Sequence, residues 1–126
     1  MTTQQGADGR TIKGTTKTAV IALNASLSGE VDLEGYLLAG IIMPAGWDAA
    51  NITFTVCATS GGTFVPLYDD AGNEITVTVG GTSRGIGMDL LAGALAPWRF
   101  IKLRSGTVGT SVAQTAARTL TLVLKE

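Results

Sequence analysis

The chain has 126 residues and a formal net charge of −1, from nine Lys and Arg against ten Asp and Glu. That length holds one domain, and the balanced charge excludes a protein that grips nucleic acid or an anionic membrane through a basic surface. Histidine is absent and cysteine occurs once, which removes His-dependent triads, zinc–His sites, Cys clusters and internal disulfides.

Residues 1–16 (MTTQQGADGRTIKGTT) are polar and show no apolar periodicity. They cannot bury enough surface to offset the entropy of ordering, so a flexible arm is expected, either without a role or ordering on a neighbouring subunit. The folded domain then spans residues 17–126. Thr18 to Leu23 predicts a strand. Glu30 to Leu33 alternates charge and aliphatic, the period of a half-buried strand. Tyr36 to Met43 is a nearly continuous apolar run closed by Pro44; its length and the mid-run Gly40 favour a buried strand over a helix.

Pro44 to Asp48 forms a corner that Trp47 packs down. Ile52, Phe54 and Val56 alternate with Thr53, Thr55 and Cys57, giving a strand with one core face and one Thr-rich face. Phe64 to Tyr68 and Ile75 to Val79 form a hairpin around the turn Asp69-Asp70-Ala71-Gly72-Asn73. Gly80 to Gly87 is expected to be a loop and Met88 to Leu95 a helical turn. Trp98 to Arg104 is a strand whose alternation slips at Phe100-Ile101, the signature of a bulge. A long Gly/Ser/Thr/Ala loop, residues 105–117, precedes a closing strand at Arg118 to Lys125.

Eight short strands at roughly ten-residue spacing predict an all-β protein, a single jelly-roll-like β-sandwich of antiparallel strands. Charged residues make up only 15 % of the chain and apolar ones 45 %. So little charge on so small a body points to surface covered by other copies or by a partner. No run of 18 apolar residues exists, and the start MTTQQ lacks the features of a signal peptide. Folding in a reducing cytoplasm is the expectation, with no membrane and no nucleic acid as partners.

Three stretches carry a resemblance: MPAGW (Met43 to Trp47), TFVPLYDDAGNEIT (Thr63 to Thr76) and RFIKLRSGT (Arg99 to Thr107). Over about residues 30 to 125 the chain resembles small β-sandwich virion proteins of tailed bacteriophages, which decorate the capsid or build neck and head fibres. The RFIKLR strand is also similar, over a shorter length, to discoidin-like carbohydrate-binding jelly rolls. The phage resemblance implies a self-associating sandwich without cofactor or catalysis, made in the host cytoplasm and residing in the virion. Its implied partners are copies of itself, a trimer at three-fold shell positions above all, and the major capsid protein or other virion subunits. Its motifs mark turns and core strands, so no family site transfers.

Several constellations invite chemistry. Asp69, Asp70, Asn73 and Glu74 offer four oxygen ligands that suggest calcium. They lack the alternation and distant bidentate Glu of an EF-hand loop, and a hairpin turn with Gly72 at positive φ accounts for the same residues. Glu30, Asp32 and Glu34 alternate and are expected to share one strand face, as a glycosidase-type pair or as a solvated acidic rim facing a cationic partner. Arg99, Lys102 and Arg104 form the densest basic cluster, a candidate partner contact or an ordinary strand face with internal ion pairs. Trp47, Trp98, Tyr36 and Tyr68 either line a sugar platform or serve as core and corner residues. Ser83 to Gly87 holds a GxG without a strand–GxGxxG–helix context, so a loop is expected there and no nucleotide site. Cys57, with no His to generate a thiolate, reads as a small buried hydrophobe.

Overall fold

A computed structural model of the chain describes residues 2–5, 11–88 and 93–126. The described residues form ten strands: β1 (Thr2–Gln5), β2 (Thr11–Ile21), β3 (Val31–Asp32), β4 (Leu37–Ile42), β5 (Ile52–Cys57), β6 (Val65–Pro66), β7 (Thr76–Val77), β8 (Gly85–Gly87), β9 (Phe100–Ser105) and β10 (Arg118–Lys125). One sheet runs β1-β2-β10-β4-β8 and the other β3-β9-β5-β6, with β7 also paired to β5. Every pairing is antiparallel. From β2 onward, with β6 and β7 taken as one interrupted strand along β5, successive strands alternate between the sheets except where β5 turns into β6. That is jelly-roll wiring.

The core follows from alternation. Leu120, Leu122 and Leu124 of β10 point inward beside Ala19 and Ile21 of β2 and Leu38 and Ile41 of β4. They meet Ile52, Phe54 and Val56 of β5 and Ile101 and Leu103 of β9, and all are buried. Fully burying such side chains contributes about 1.5–3 kcal/mol each, which is what joins the two sheets.

Three expectations change. The segment assigned to a flexible arm is drawn into the sheet: β2 begins at Thr11, and Gly14, Thr15 and Thr16 pair with Lys125, Leu124 and Val123. Backbone hydrogen bonding to β10 needs no apolar side chains, so hydropathy gave no sign of it. Gly85 to Gly87 is an edge strand rather than loop, paired to β4 through Gly40↔Gly87 and Ile42↔Gly85; a Gly-Ile-Gly strand has one side chain and thus no period to read. The slip at Phe100-Ile101 is not a bulge. β9 pairs with β5 in unbroken register from Phe100 to Ser105, and Phe100 is buried on the outer face. The register shift lies instead between Val123 and Leu124 of β10 against β4. Of the expected turn at Met88 to Leu95, residues 89–92 lie outside the described residues, and Gly93 to Leu95 are helical.

The long loop 105–117 is fastened by Gln114, whose side chain is buried. Its amide donates to Ser105 Oγ at 2.8 Å and to the Asp48 carbonyl at 3.2 Å, while its Oε1 accepts from the Asp48 N–H at 2.9 Å.

Candidate interaction surfaces

On the outer face of the β3-β9-β5-β6 sheet, Phe100, Lys102 and Arg104 stand opposite Cys57, Thr55 and Thr53. Arg104 Nη1 lies 3.4 Å from Glu74 Oε2, with only 13 % and 14 % of the two side chains exposed. Glu74 also accepts the Val108 N–H at 3.1 Å. The Lys102 ammonium sits 4.6 Å from the centre of the Phe64 ring, a cation–π contact. Arg99 forks onto Asp32 through bonds of 2.9 and 3.0 Å, the bidentate geometry that suits a planar guanidinium. The basic cluster singled out in the sequence is therefore engaged within the chain.

The acidic trio does not form one rim. β3 ends at Asp32, and Glu34 and Gly35 both take positive φ, so the chain turns before Glu34 can continue the strand face. Glu30 accepts the Gly61 N–H at 2.8 Å and the Ser60 hydroxyl at 2.7 Å, bonds that hold its carboxyl below the usual range. The Arg99 hydrogen bonds hold Asp32 low in the same way, and Asp32 raises Arg99 in return. Glu34 reaches the other sheet to meet Lys17 at 2.7 Å.

At the β6–β7 turn, Asp69 Oδ1 accepts the N–H groups of Ala71 and Asn73, both at 2.9 Å, and Gly72 takes φ 87°. These bonds, Asn73 first, hold the Asp69 carboxyl below its ordinary value. Glu74 turns away toward Arg104, so the oxygen set offered for calcium is divided. Among the described residues no group of three His, Cys, Asp or Glu is placed to hold a metal ion. Cys57 is buried, its Sγ 3.9 Å from Thr59 Oγ1.

The aromatic set separates in a similar manner. Trp47 is buried in the core, its Nε1–H donating to the Ala50 carbonyl at 3.1 Å. The half-buried Trp98 lines two open hollows. One of about 540 Å³ brings it together with Tyr36, Glu34 and Arg99, and one of about 440 Å³ with Tyr68, Asp69 and Asp70.

The largest surface that sequence reasoning missed is the outer face of the β2-β10-β4-β8 sheet. Thr121 lies between Thr18 and Ile42, Val123 between Thr16 and Gly40, and Thr119 beside Val20; Gly85 and Gly87 extend the rows onto β8. Val20 and Ile42 are about half exposed, at 48 % and 49 %. The one charge at these described outward positions is Lys125, at the end of β10. The exposed Thr positions were legible strand by strand, but their union into one nearly uncharged face depends on β10 inserting between β2 and β4.

No family model matches the chain, and no curated protein or solved structure matches it either. Among the described residues no helix is long and apolar enough to cross a membrane.

Proposed function

We propose that the chain is a bacteriophage virion structural protein, a capsid decoration (cement) protein that self-associates and binds the head shell. The observation that carries the proposal is the outer face of β2, β10, β4 and β8, whose described positions carry a single charge, Lys125 at one end. A face with its centre free of charge lacks the usual protection of a sheet against association, and a neutral surface best complements another neutral surface, here that of further copies of the chain. Strand spacing and rise put the four-strand face at roughly 450 Å². Two such faces together bury about 900 Å², near the lower bound of about 1,000 Å² for a specific interface. Such a contact is weak alone and strong when repeated at fixed positions on a shell. The three-fold positions of a shell favour a trimer, in which each copy would set part of this face against each of two neighbours, and the mechanism is adhesive. The sequence resemblance and the low charge content point the same way.

The test is co-sedimentation of the purified protein with mature heads that lack it, counted per capsid. Saturation at shell-wide copy numbers is the expected result, and absence of binding would overturn the proposal. A second reading, a neck or head-fibre component or carbohydrate-binding module that recognises a host glycan, is favoured by the half-buried Trp98 with Tyr36 and Tyr68 beside it. Glycan binding that is lost in Trp98→Ala with folding retained would establish it in place of the first.

A further inference from the structure

Three of the four described arginines, Arg99, Arg104 and Arg118, lie within 3.5 Å of a carboxylate oxygen. Arg84 is the exception: among the described residues its guanidinium has neither an ion pair nor a hydrogen bond. Exposed though it is, the side chain lies against the Gly80-Gly81 backbone. A Cβ on Gly81 would collide with Arg84 Nη2, and one on Gly80 would stand 3.1 Å from Nη1. The guanidinium thus lies beside two glycines, one of them at φ +73°, in a space that a side chain at Gly81 would take. A surface arginine with no partner ordinarily extends into water, where its many rotamers are open. Here two residues without side chains give it a seat.

That seat is at the rim of a hollow of about 770 Å³ along the crossover from β7 to β8, between the two sheets. Ala49, Ala50 and Val79 give the hollow aliphatic walls, Trp47 lies at its base, and Asn51 and the Gly80-Gly81-Thr82 backbone complete it. Asn51 is occupied, its Oδ1 accepting the Val79 N–H at 3.2 Å. The hollow therefore combines an apolar interior with one uncompensated cation, and no carboxylate lines it.

We propose that this hollow binds a carboxylate carried on an aliphatic body, supplied by a partner polypeptide as an acidic side chain or a C-terminus, with Arg84 as its counter-ion. A guanidinium fork matches a carboxylate in two parallel hydrogen bonds, and the walls take the aliphatic part. A sugar acid fits poorly, because the Trp47 ring is 5 % exposed and offers no open face for stacking. The exposed Tyr68 and the half-buried Trp98 and Tyr36 are elsewhere. The site stands whether or not the chain belongs to a virion, since it is defined on the isolated domain.

The test is an NMR titration of the full ¹⁵N-labelled chain, read at the Arg84 Nε–H and the amides of Gly80, Gly81 and Thr82. N-acetyl-leucine represents a C-terminal carboxylate and N-acetyl-glutamate amide a side-chain carboxylate. N-acetyl-leucine amide is the uncharged control and glucuronate the sugar acid. Expected is a saturable shift with one or both carboxylate peptides and none with the control. Arg84→Gln, at an exposed position, should weaken binding about tenfold or more, the loss of a charge-assisted pair, with the unfolding midpoint unchanged. Gly81→Ala, which displaces the guanidinium but keeps the charge, should weaken it several-fold. The proposal is overturned by equal binding of the uncharged control, by wild-type affinity in Arg84→Gln, by glucuronate binding more tightly than both peptides, or by no saturable shift with any probe.

Discussion

On the β3-β9-β5-β6 sheet the outer face carries Lys102 and Arg104, with Glu74, Asp32 and Arg99 at its margins, and each is met by a ring or an opposite charge of the same chain. On the β2-β10-β4-β8 sheet the outer face carries Thr, Val, Ile and Gly, with Thr16, Thr18, Val20, Ile42 and Thr119 exposed. The two faces belong to one sandwich and share one core, so fold does not explain the difference. Charged side chains attract notice in a sequence because they suggest contacts, yet here those contacts are already made at home. The plain face is the one left open to a neighbour.

Substitutions probe this contrast, beginning with the most damaging. Phe54, buried on the inner side of β5, belongs to both faces through the core; Phe54→Ala should cost about 3–5 kcal/mol and unfold both sheets in one transition. Calorimetry showing two separate transitions would mean that the sheets are independent bodies and the comparison is misplaced. Glu74→Ala removes the partner of a mostly buried Arg104 and of the Val108 N–H, and should cost about 1–3 kcal/mol by urea unfolding. A neutral result would show that the internal pairing on that face is decorative.

Thr55 offers a change of opposite sign. Its hydroxyl is buried beneath the charged face with no hydrogen-bond partner, so Thr55→Val should raise stability by about 1 kcal/mol. Acid gives the smallest and broadest effect. Asp32, Glu30, Asp48 and Asp69 all titrate below their ordinary values, held chiefly by Arg99, Gly61, Thr115 and Asn73 respectively. A carboxylate lowered by folding contributes stability that is complete above its unfolded value and is lost as pH falls through its folded one. Thermal midpoints should therefore stay flat from neutral pH down to about 5 and decline below about 4. A decline that begins near pH 6 would contradict this assignment.

Much of the fold was legible because strand period and core are the same signal. Ile52, Phe54 and Val56 alternate and are all inside, and so do Leu120, Leu122 and Leu124. The Asp69 turn and the Trp47 corner were legible as local chemistry. What escaped was pairing made by backbone alone, as in Gly14 to Thr16 and in Gly85 to Gly87, where side chains carry no pattern. Partnership across distance escaped too: Asp32 and Arg99 are 67 residues apart and Glu74 and Arg104 are 30 apart. Their spacing therefore did not reveal that candidate contact residues would satisfy one another. The isolation of Arg84 is harder still to read, because it consists in the lack of a neighbour.

The open face is tested most directly by sedimentation of the wild-type chain over a concentration series beside two single variants. Thr121→Lys places a charge at the centre of the plain face, between Thr18 and Ile42, and Lys102→Ala removes one from the opposite face. The expected result is an oligomer for the wild type and for Lys102→Ala, a monomer for Thr121→Lys, and closely similar unfolding midpoints for all three. A wild-type chain that stays monomeric at every concentration, or a Thr121→Lys chain that assembles as the wild type does, would contradict it.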